Sequence, residues 1–494
     1  MSNIITNFNI NYLTKHNSFP YQTEAFNFIK DLEYGAIFHE QGLGKTKIAI
    51  DLTLYWLEHR DIDTVLIVAK KQLVQNWIDE FNFHSYIKPF TIGTVKKSNF
   101  YVFNGVSKVV IANFEAVQVE KERFKLFLKS RNVAIIMDES TKIKNPESKI
   151  TQTFFELSSL FKIKVIMTGT PVANRPYDIW AQIFFLDGGK ALGHDFKKFK
   201  TNTDLSNSLS NSIDDRVSFE NAVGSIFSKI SNFSIRETKA TCGIELPDKI
   251  YQTIYCDFEP SQKKMYSEIL ENYHVEVVKQ GESILDDNEA CLKRLIRLNQ
   301  VCSNPSLIDE SYKNISGKEI AMDKLIKSIL QKNEKCIIWT SFIDNVDYFC
   351  KKYKSFGVAK IHGSMTIEDR NLSIKKFKND EQIKLLFATP QAAKEGLTLT
   401  VANNAIFYDR TFNLDDYLQA QDRIHRISQK KKCFIYKLEI KGSIDYWIDA
   451  LLNAKQHAAS LAQGDILKNE YEKIADYSYA DIIRFILKED ILYD

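Results

Sequence analysis

The sequence has no uncharged apolar run long enough to cross a membrane. Its first residues, MSNIITNFNINYLTKHNS, lack a basic start followed by an apolar core, so they do not read as a secretory leader. No Cys-x-x-Cys pair occurs among the seven cysteines, which removes the usual zinc and dithiol patterns. An odd, scattered set fits reduced thiols, and the expected compartment is the cytoplasm, or the nucleus if the source is eukaryotic. The histidines have no ligand spacing, and Cys302 reads as a small buried hydrophobe. Proline-rich linkers, internal repeats and low-complexity tails are missing. A dominant sign of charge is missing too: 66 Lys and Arg stand against 63 Asp and Glu, a formal net charge of +3. That balance neither requires nor excludes nucleic acid, because a basic groove can hide inside it.

What is present is length and alternation. A chain of 494 residues exceeds what one core usually organises, so two or three domains are expected. Hydrophobic residues at 44% and charged residues at 26% suit a globular protein. Short apolar runs recur as YGAIFHE, DTVLIVAKK, KVVIANFE, VAIIMDES and IKVIMTGTP. Each reads as a strand buried on both faces, the pattern of a parallel sheet, with amphipathic stretches between them. A second series starts near Lys335: KCIIWTSF, GVAKIHGS, IKLLFATP, NNAIFYDR and KCFIYKLE. From about Lys190 to Met322 strands are scarce and helical, charged sequence dominates. Two α/β lobes joined by a mostly helical middle are therefore expected, with helices again after Gly442. Ligands of such sheets bind beyond the carboxyl ends of the strands, where the polar segments fall.

Three segments carry chemistry. In HEQGLGKTKIAI, from His39 to Ile50, Gly42 and Gly44 let the backbone turn and aim N–H groups at phosphate oxygens. Lys45 supplies charge and Thr46 a hydroxyl for Mg²⁺. The strict pattern has Gly where His39 stands, and the plain alternative is a glycine turn capping a helix. In IIMDESTKIKN, Asp138 is placed to hold Mg²⁺ and Glu139 to polarise water; the alternative is a pair of helix-capping acids. In QAQDRIHRISQ, Arg423 and Arg426 are three apart and are expected on one helix face, either solvated or reaching a γ-phosphate from the lobe without a phosphate loop. Trp77 could stack on a base but reads as core. The basic runs from Lys351 and Gln429 read as solvated faces.

These segments, in this order, resemble helicase superfamily two, and most closely its Swi/Snf-type DNA translocases. The likeness runs from about Phe19 to the 440s. It includes FPYQTEAFNFI, VLIVAKKQLVQNWIDEF, VVIANFEAV, MTGTPVANRPYDIW, SNFSIRETKA, LIRLNQVCSNPSLI, CIIWTSFIDNVDYF, KIHGSM and AAKEGLTLTVANNAIFYDRTFN. The resemblance implies an α/β fold of two tandem RecA-like parallel-sheet lobes with helical insertions between them. Lobe 1 is expected over 1–240, a linker and helical insertion over 241–322, lobe 2 over 323–445 and C-terminal helices over 446–494. It implies that Gln22 reads adenine, that Gly396 joins the nucleotide site, and that Thr168 and Thr170 couple nucleotide to motion. It implies DNA contacts around Lys71, Asn113, Ser341, His362 and Thr389. The sequence departs from the family at Ser140 and Thr141, which replace Ala-His, at Lys394 and Glu395 in place of two glycines, at Thr398 in place of Asn, and at Phe412 in place of Trp. The family's accessory reader domains are not expected in this chain.

The function expected from the resemblance is a DNA-dependent ATPase that translocates on double-stranded DNA and remodels protein–DNA complexes or DNA structures. ATP and Mg²⁺ are its cofactors. Sequence preference is expected to be weak, targeting to come from a protein partner, and no membrane to be involved. A bacterial, phage or viral source fits the bare motor. A strand-separating helicase of the same superfamily and a non-catalytic DNA-binding protein with an inactive ATPase fold are the alternatives.

Overall fold

The computed structural model describes residues 11–93, 96–208, 210, 212–280, 288–393 and 397–474. They fall into two compact units. The first comprises Met1–Asp204, Val217–Ile244 and Ala458–Glu470; the second comprises Leu205–Arg216, Glu245–His457 and Tyr471–Asp494.

The first unit holds seven strands: β1 (Tyr34–Ile37), β2 (Thr64–Ala69), β3 (Phe90–Ile92), β4 (Val109–Asn113), β5 (Val133–Asp138), β6 (Ile163–Met167) and β7 (Ser234–Ile235). They form one parallel sheet in the order β3-β4-β2-β5-β6-β1-β7. Strands β2 and β4 are buried at every position. Helices cover both faces, as parallel strands require, since a crossover must return the chain to the same end of the sheet. One face of β2, β4, β5 and β6 packs with Ile48, Leu52, Trp56, Trp77 and Phe81.

The second unit holds six strands: β8 (Lys249–Cys256), β9 (Cys336–Trp339), β10 (Val358–Ile361), β11 (Leu385–Ala388), β12 (Asn404–Phe407) and β13 (Cys433–Ile440). They are again all parallel, in the order β10-β11-β9-β12-β13-β8. Period-two alternation divides β9 between two cores. Cys336 and Ile338 join one, and Ile337 and Trp339 join the other.

The ten apolar runs in the sequence are ten of these thirteen strands. The other three are sheet edges. Strand β8 lies within the stretch expected to be linker and helical insertion, yet it pairs with β13 from Lys249 opposite Cys433 to Cys256 opposite Ile440. Its sequence, KIYQTIYC, is exposed or half-buried everywhere except Cys256. An edge strand need not be apolar on both faces, so no continuous run announces it. Strands β3 and β7 are three and two residues long, too short to show a period. At the C-terminal side, residues 458–470 pack in the first unit. No helix among the described residues is long and apolar enough to cross a membrane.

Candidate functional site

Strand β1 runs into the loop 38–44, and the helix Lys45–His59 follows. Gly42 has φ 91° and Gly44 φ 70°, in the left-handed region that glycine enters without strain. A Cβ at Gly44 would lie 2.3 Å from Gln22 Nε2. Gln22 is buried, donates from Nε2 to Leu43 O at 3.2 Å, and accepts from Phe19 N at 2.9 Å. It is thereby fastened to the loop.

Lys45 Nζ donates to His39 O at 2.8 Å, inside the loop. Burial pulls its ammonium below the ordinary range, and Glu139 and Asp138 pull against that. Thr46 occupies the first turn of the helix. The His39 imidazole is fully buried. Burial, then the Lys45 charge, lowers its pKa to about 4, so the ring is neutral at pH 7. The loop's approach is braced: Arg236 donates from Nη1 to Phe38 O at 2.9 Å and forks onto Asp465 at 2.7 and 2.6 Å. Lys239 pairs with Glu40 at 2.8 Å.

Asp138 closes β5, two strands from β1. Burial, then the neighbouring Glu139 charge, raises its pKa to about 6, and the Trp77 indole opposes this by donating to Oδ2 at 2.9 Å. Trp77 is 1% exposed, so it is core, as expected. It is also a partner of the acid, which no local pattern announces across 61 residues of sequence separation. Glu139 is one of two non-glycine residues with positive φ among those described, at 56°. Its Oε2 is buried with no hydrogen-bond partner among the described residues. Thr168 follows β6. Its N–H donates to Ile37 O at 3.2 Å, and its hydroxyl accepts from Thr170 N at 3.2 Å. Gly169 backs onto the phosphate loop, where an added Cβ would lie 2.7 Å from Gln41 Cγ and 3.4 Å from Lys45 Nζ. The ends of β1, β5 and β6 thus bring together an ammonium, a hydroxyl at a helix start, a glycine-bent turn and two carboxylates. That donor set suits a triphosphate with a divalent cation. No cluster of three His, Cys, Asp or Glu side chains able to hold a metal ion occurs among the described residues, so protein carboxylates alone do not complete a cation's shell here.

The other half of the first sheet carries Lys71, past the end of β2, and Asn113, the last residue of β4. Lys71 is exposed. Asn113 is buried, and its Oδ1 accepts from Ala116 N at 2.8 Å, capping the helix Phe114–Val119. In the second unit, Ser341, His362 and Thr389 follow β9, β10 and β11, three neighbouring strands. The Asp409 carboxylate, 1% exposed, accepts from Ser341 N, Thr340 Oγ1 and Ser303 Oγ, each at 2.6 Å. The Ser341 hydroxyl and both His362 ring nitrogens have no hydrogen-bond partner among the described residues.

Arg423 and Arg426 do not share a helix face. The helix Leu414–Gln421 ends before them, and 422–428 are turns and bends. Just beyond them the Gln429 side-chain amide donates to the carbonyls of Ala402 and Ile424, each at 2.9 Å. Arg423 is 2% exposed and donates to Leu397 O at 3.3 Å. Arg426 is half-buried and donates to Thr398 Oγ1 at 2.9 Å. The residue that departs from the family at 398 is thus its partner. Gly396, with Lys394 and Glu395, lies outside the described residues.

The SNF2-related domain family model matches residues 21–307, and the helicase conserved C-terminal domain matches residues 318–428. An uncharacterised ATP-dependent helicase of Mycoplasma pneumoniae is 29% identical over 89% of this chain and 42% of its own length. The ISWI chromatin-remodelling complex ATPase ISW1 of Saccharomyces cerevisiae is 27% identical over 86% of this chain and 39% of its own. The chain therefore spans about two fifths of the length of these curated relatives. A solved structure, the Sulfolobus solfataricus SWI2/SNF2 ATPase core in complex with dsDNA, is 25% identical, covers 94% of this chain and 98% of its own, and gives a TM-score of 0.43. With more than half of its residues matched by the SNF2-related model and a helicase C-terminal domain following in order, the chain belongs to the SNF2 family.

Proposed function

We propose that this chain is a DNA-dependent ATPase that translocates on double-stranded DNA and remodels protein–DNA complexes or DNA structures. The observation that carries the reading is the meeting of the phosphate loop and the Asp138–Glu139 pair at the ends of β1, β5 and β6. Lys45 and the loop amides would hold phosphates, and Thr46 and Asp138 would hold Mg²⁺. The cation, when bound, neutralises charge on the phosphates. Glu139 orients the attacking water. Its unpartnered carboxylate oxygen has a free lone pair for that task. Gln22 reads the adenine edge, and Arg423 and Arg426 stabilise transition-state charge. Thr168 and Thr170 couple the nucleotide to motion.

The DNA contacts assigned here are Lys71 and the strand end at Asn113 in the first unit, and Ser341, His362 and Thr389 in the second. Phosphate contacts position a protein on DNA without reading sequence. Weak sequence preference follows, and the choice of target falls to a protein partner. Stepping along phosphates needs no base contact, so base pairs stay intact.

A panel assay tests this. Phosphate release is measured with duplex DNA, single-stranded DNA, RNA and no nucleic acid, alongside displacement of a third strand from a triplex and opening of a forked duplex. Duplex should stimulate turnover most. The third strand should be stripped with ATP while the fork stays paired. Unwinding of the fork, or stimulation by single strands alone, makes the chain a strand-separating helicase. DNA binding without hydrolysis on any substrate makes it a non-catalytic binder.

A further inference from the structure

Ser140 directly follows Glu139, at a position where the family has Ala. Its hydroxyl is fully buried and donates to Gln182 Oε1 at 2.7 Å. Gln182, also fully buried, lies on the helix Trp180–Asp187, where Ala181, Ile183, Phe185 and Leu186 are all buried. Its amide donates to Pro171 O and to Asp178 O, each at 2.8 Å. Pro171 ends the segment that begins at Thr168, and that segment presses Gly169 against Gln41 and Lys45. One side chain therefore touches both the residue behind Glu139 and the segment that abuts the phosphate loop. A second link runs in parallel one turn earlier. Asp178 accepts from Lys144 Nζ at 3.0 Å and from Asn174 N at 2.9 Å.

An amide inside an otherwise apolar helix face needs a reason. Replacing both partners of a buried polar pair by apolar groups of similar shape is nearly neutral for stability. Packing alone would accept Ala at 140, whereas an apolar side chain at 182 would also take the amide donor from the Pro171 carbonyl. What the pair adds is direction: it fixes the register of two loops that both border the phosphate loop.

We propose that Gln182 is a positioning residue for hydrolysis. It locks Ser140 and Pro171 together, so a displacement at the phosphate loop moves the acid pair and the Thr168–Pro171 segment as one body. It acts through Glu139 and touches no substrate. The proposal deepens the ATPase reading of this site and rests on it.

The test uses the full chain and three variants: Gln182→Met, Ser140→Ala and the double variant. Gln182→Met should lower duplex-stimulated kcat on the order of 10- to 100-fold, the size of effect that small misplacements cause. The KM for ATP should stay within about twofold, since phosphate binding is left intact. Ser140→Ala should show a similar loss, and the double variant should add little, as expected of residues acting as a unit. Hydrogen exchange is measured in parallel with a non-hydrolysable ATP analogue. In the wild type the analogue should slow exchange in 139–144 and 168–171 together. In Gln182→Met the response of 139–144 should be lost while that of 168–171 remains. Wild-type kcat in Gln182→Met overturns the proposal, and so does full recovery in the double variant, which would mark packing alone. A loss of kcat matched by an equal loss of folded protein overturns it too. If the wild type hydrolyses no ATP on any DNA, but the joint exchange response is present and Gln182→Met breaks it, the ATPase reading falls and the positioning role stands. If the wild type does not respond to the analogue, both fall.

Discussion

Glu139 is held in the left-handed backbone region, at φ 56° and ψ 53°, a conformation that costs a non-glycine residue about 1–3 kcal/mol. Such strain persists where the surroundings over-determine it, and here it falls on a residue whose carboxylate has one oxygen with no hydrogen-bond partner among the described residues. Glu139→Gln keeps the shape and removes the charge. It should leave ATP binding close to wild type and reduce steady-state hydrolysis by orders of magnitude, because the group that orients water is gone while the loop is intact. Hydrolysis near the wild-type rate would remove Glu139 from the role given to it. His39 makes a different prediction. Its folded pKa is about 4 against an ordinary 6.5. Below pH 6.5 the unfolded chain takes up a proton that the native imidazole refuses, so stability present above that pH is lost as pH falls toward 4. At about pH 5 the loss from this one residue is about 2 kcal/mol. Denaturant unfolding at about pH 7 and about pH 5, for wild type and His39→Gln, checks it. Wild type should lose about 2 kcal/mol more than the variant, and equal losses would mean that the ring titrates normally in the native state.

At the scale of elements, each unit places its polar residues where parallel strands end. In the second unit one carboxylate, Asp409, organises three elements. It receives Ser303 from the helix Asn288–Ser303, and Thr340 and Ser341 from the end of β9. Around it Asn345 donates to Ser303 Oγ at 2.8 Å and accepts from Asn304 at 3.0 Å. Asp409→Ala leaves three donors without an acceptor in a buried site, at ~1–3 kcal/mol each. The expected result is a loss of at least about 3 kcal/mol in the second unit, read as an earlier transition in thermal or denaturant unfolding. A shift of less than about 1 kcal/mol would mean that water replaces the carboxylate and that the network is not a structural centre. The same carboxylate holds the backbone of Ser341, so DNA affinity should fall in this variant even when it is folded.

For the whole molecule, charge is nearly balanced at +3, so any grip on DNA comes from local groups rather than from a general positive field. Such a grip is salt-dependent. The logarithm of affinity falls linearly with the logarithm of salt, with a slope of about −0.9 for each phosphate neutralised on B-DNA. A chain making 6–10 such contacts should lose roughly 10³- to 10⁵-fold in affinity between about 50 and about 200 mM salt. Lys71→Ala should weaken binding to every duplex sequence alike and reduce the slope by about 1. A flat salt response, or a loss confined to particular sequences, would replace phosphate grip with base readout.

The sequence by itself determined the interior strands and the glycine-bent loop after β1. Strands such as β2 and β4 are buried on both faces, and continuous apolar runs are the direct imprint of that burial. Gly42, Gly44, Lys45 and the Asp138–Glu139 pair were legible because their chemistry is local: a turn, a charge or a strand end within a few residues. The departures at Ser140 and Thr398 were visible as letters, but their partners were not. What the tertiary structure alone decided is pairing over distance. The edge strand β8 needs no apolar run, because one of its sides has no neighbouring strand and its faces stay partly exposed. Trp77 reaches Asp138, Gln182 joins Ser140 to Pro171, Arg236 forks onto Asp465, and Asp409 gathers residues from two other elements. The helix meant to carry Arg423 and Arg426 ends at Gln421, and the two side chains find their partners at Leu397 O and Thr398 Oγ1 instead. Each of these is a buried polar group finding its partner, and that choice is made by packing, which sequence spacing does not encode.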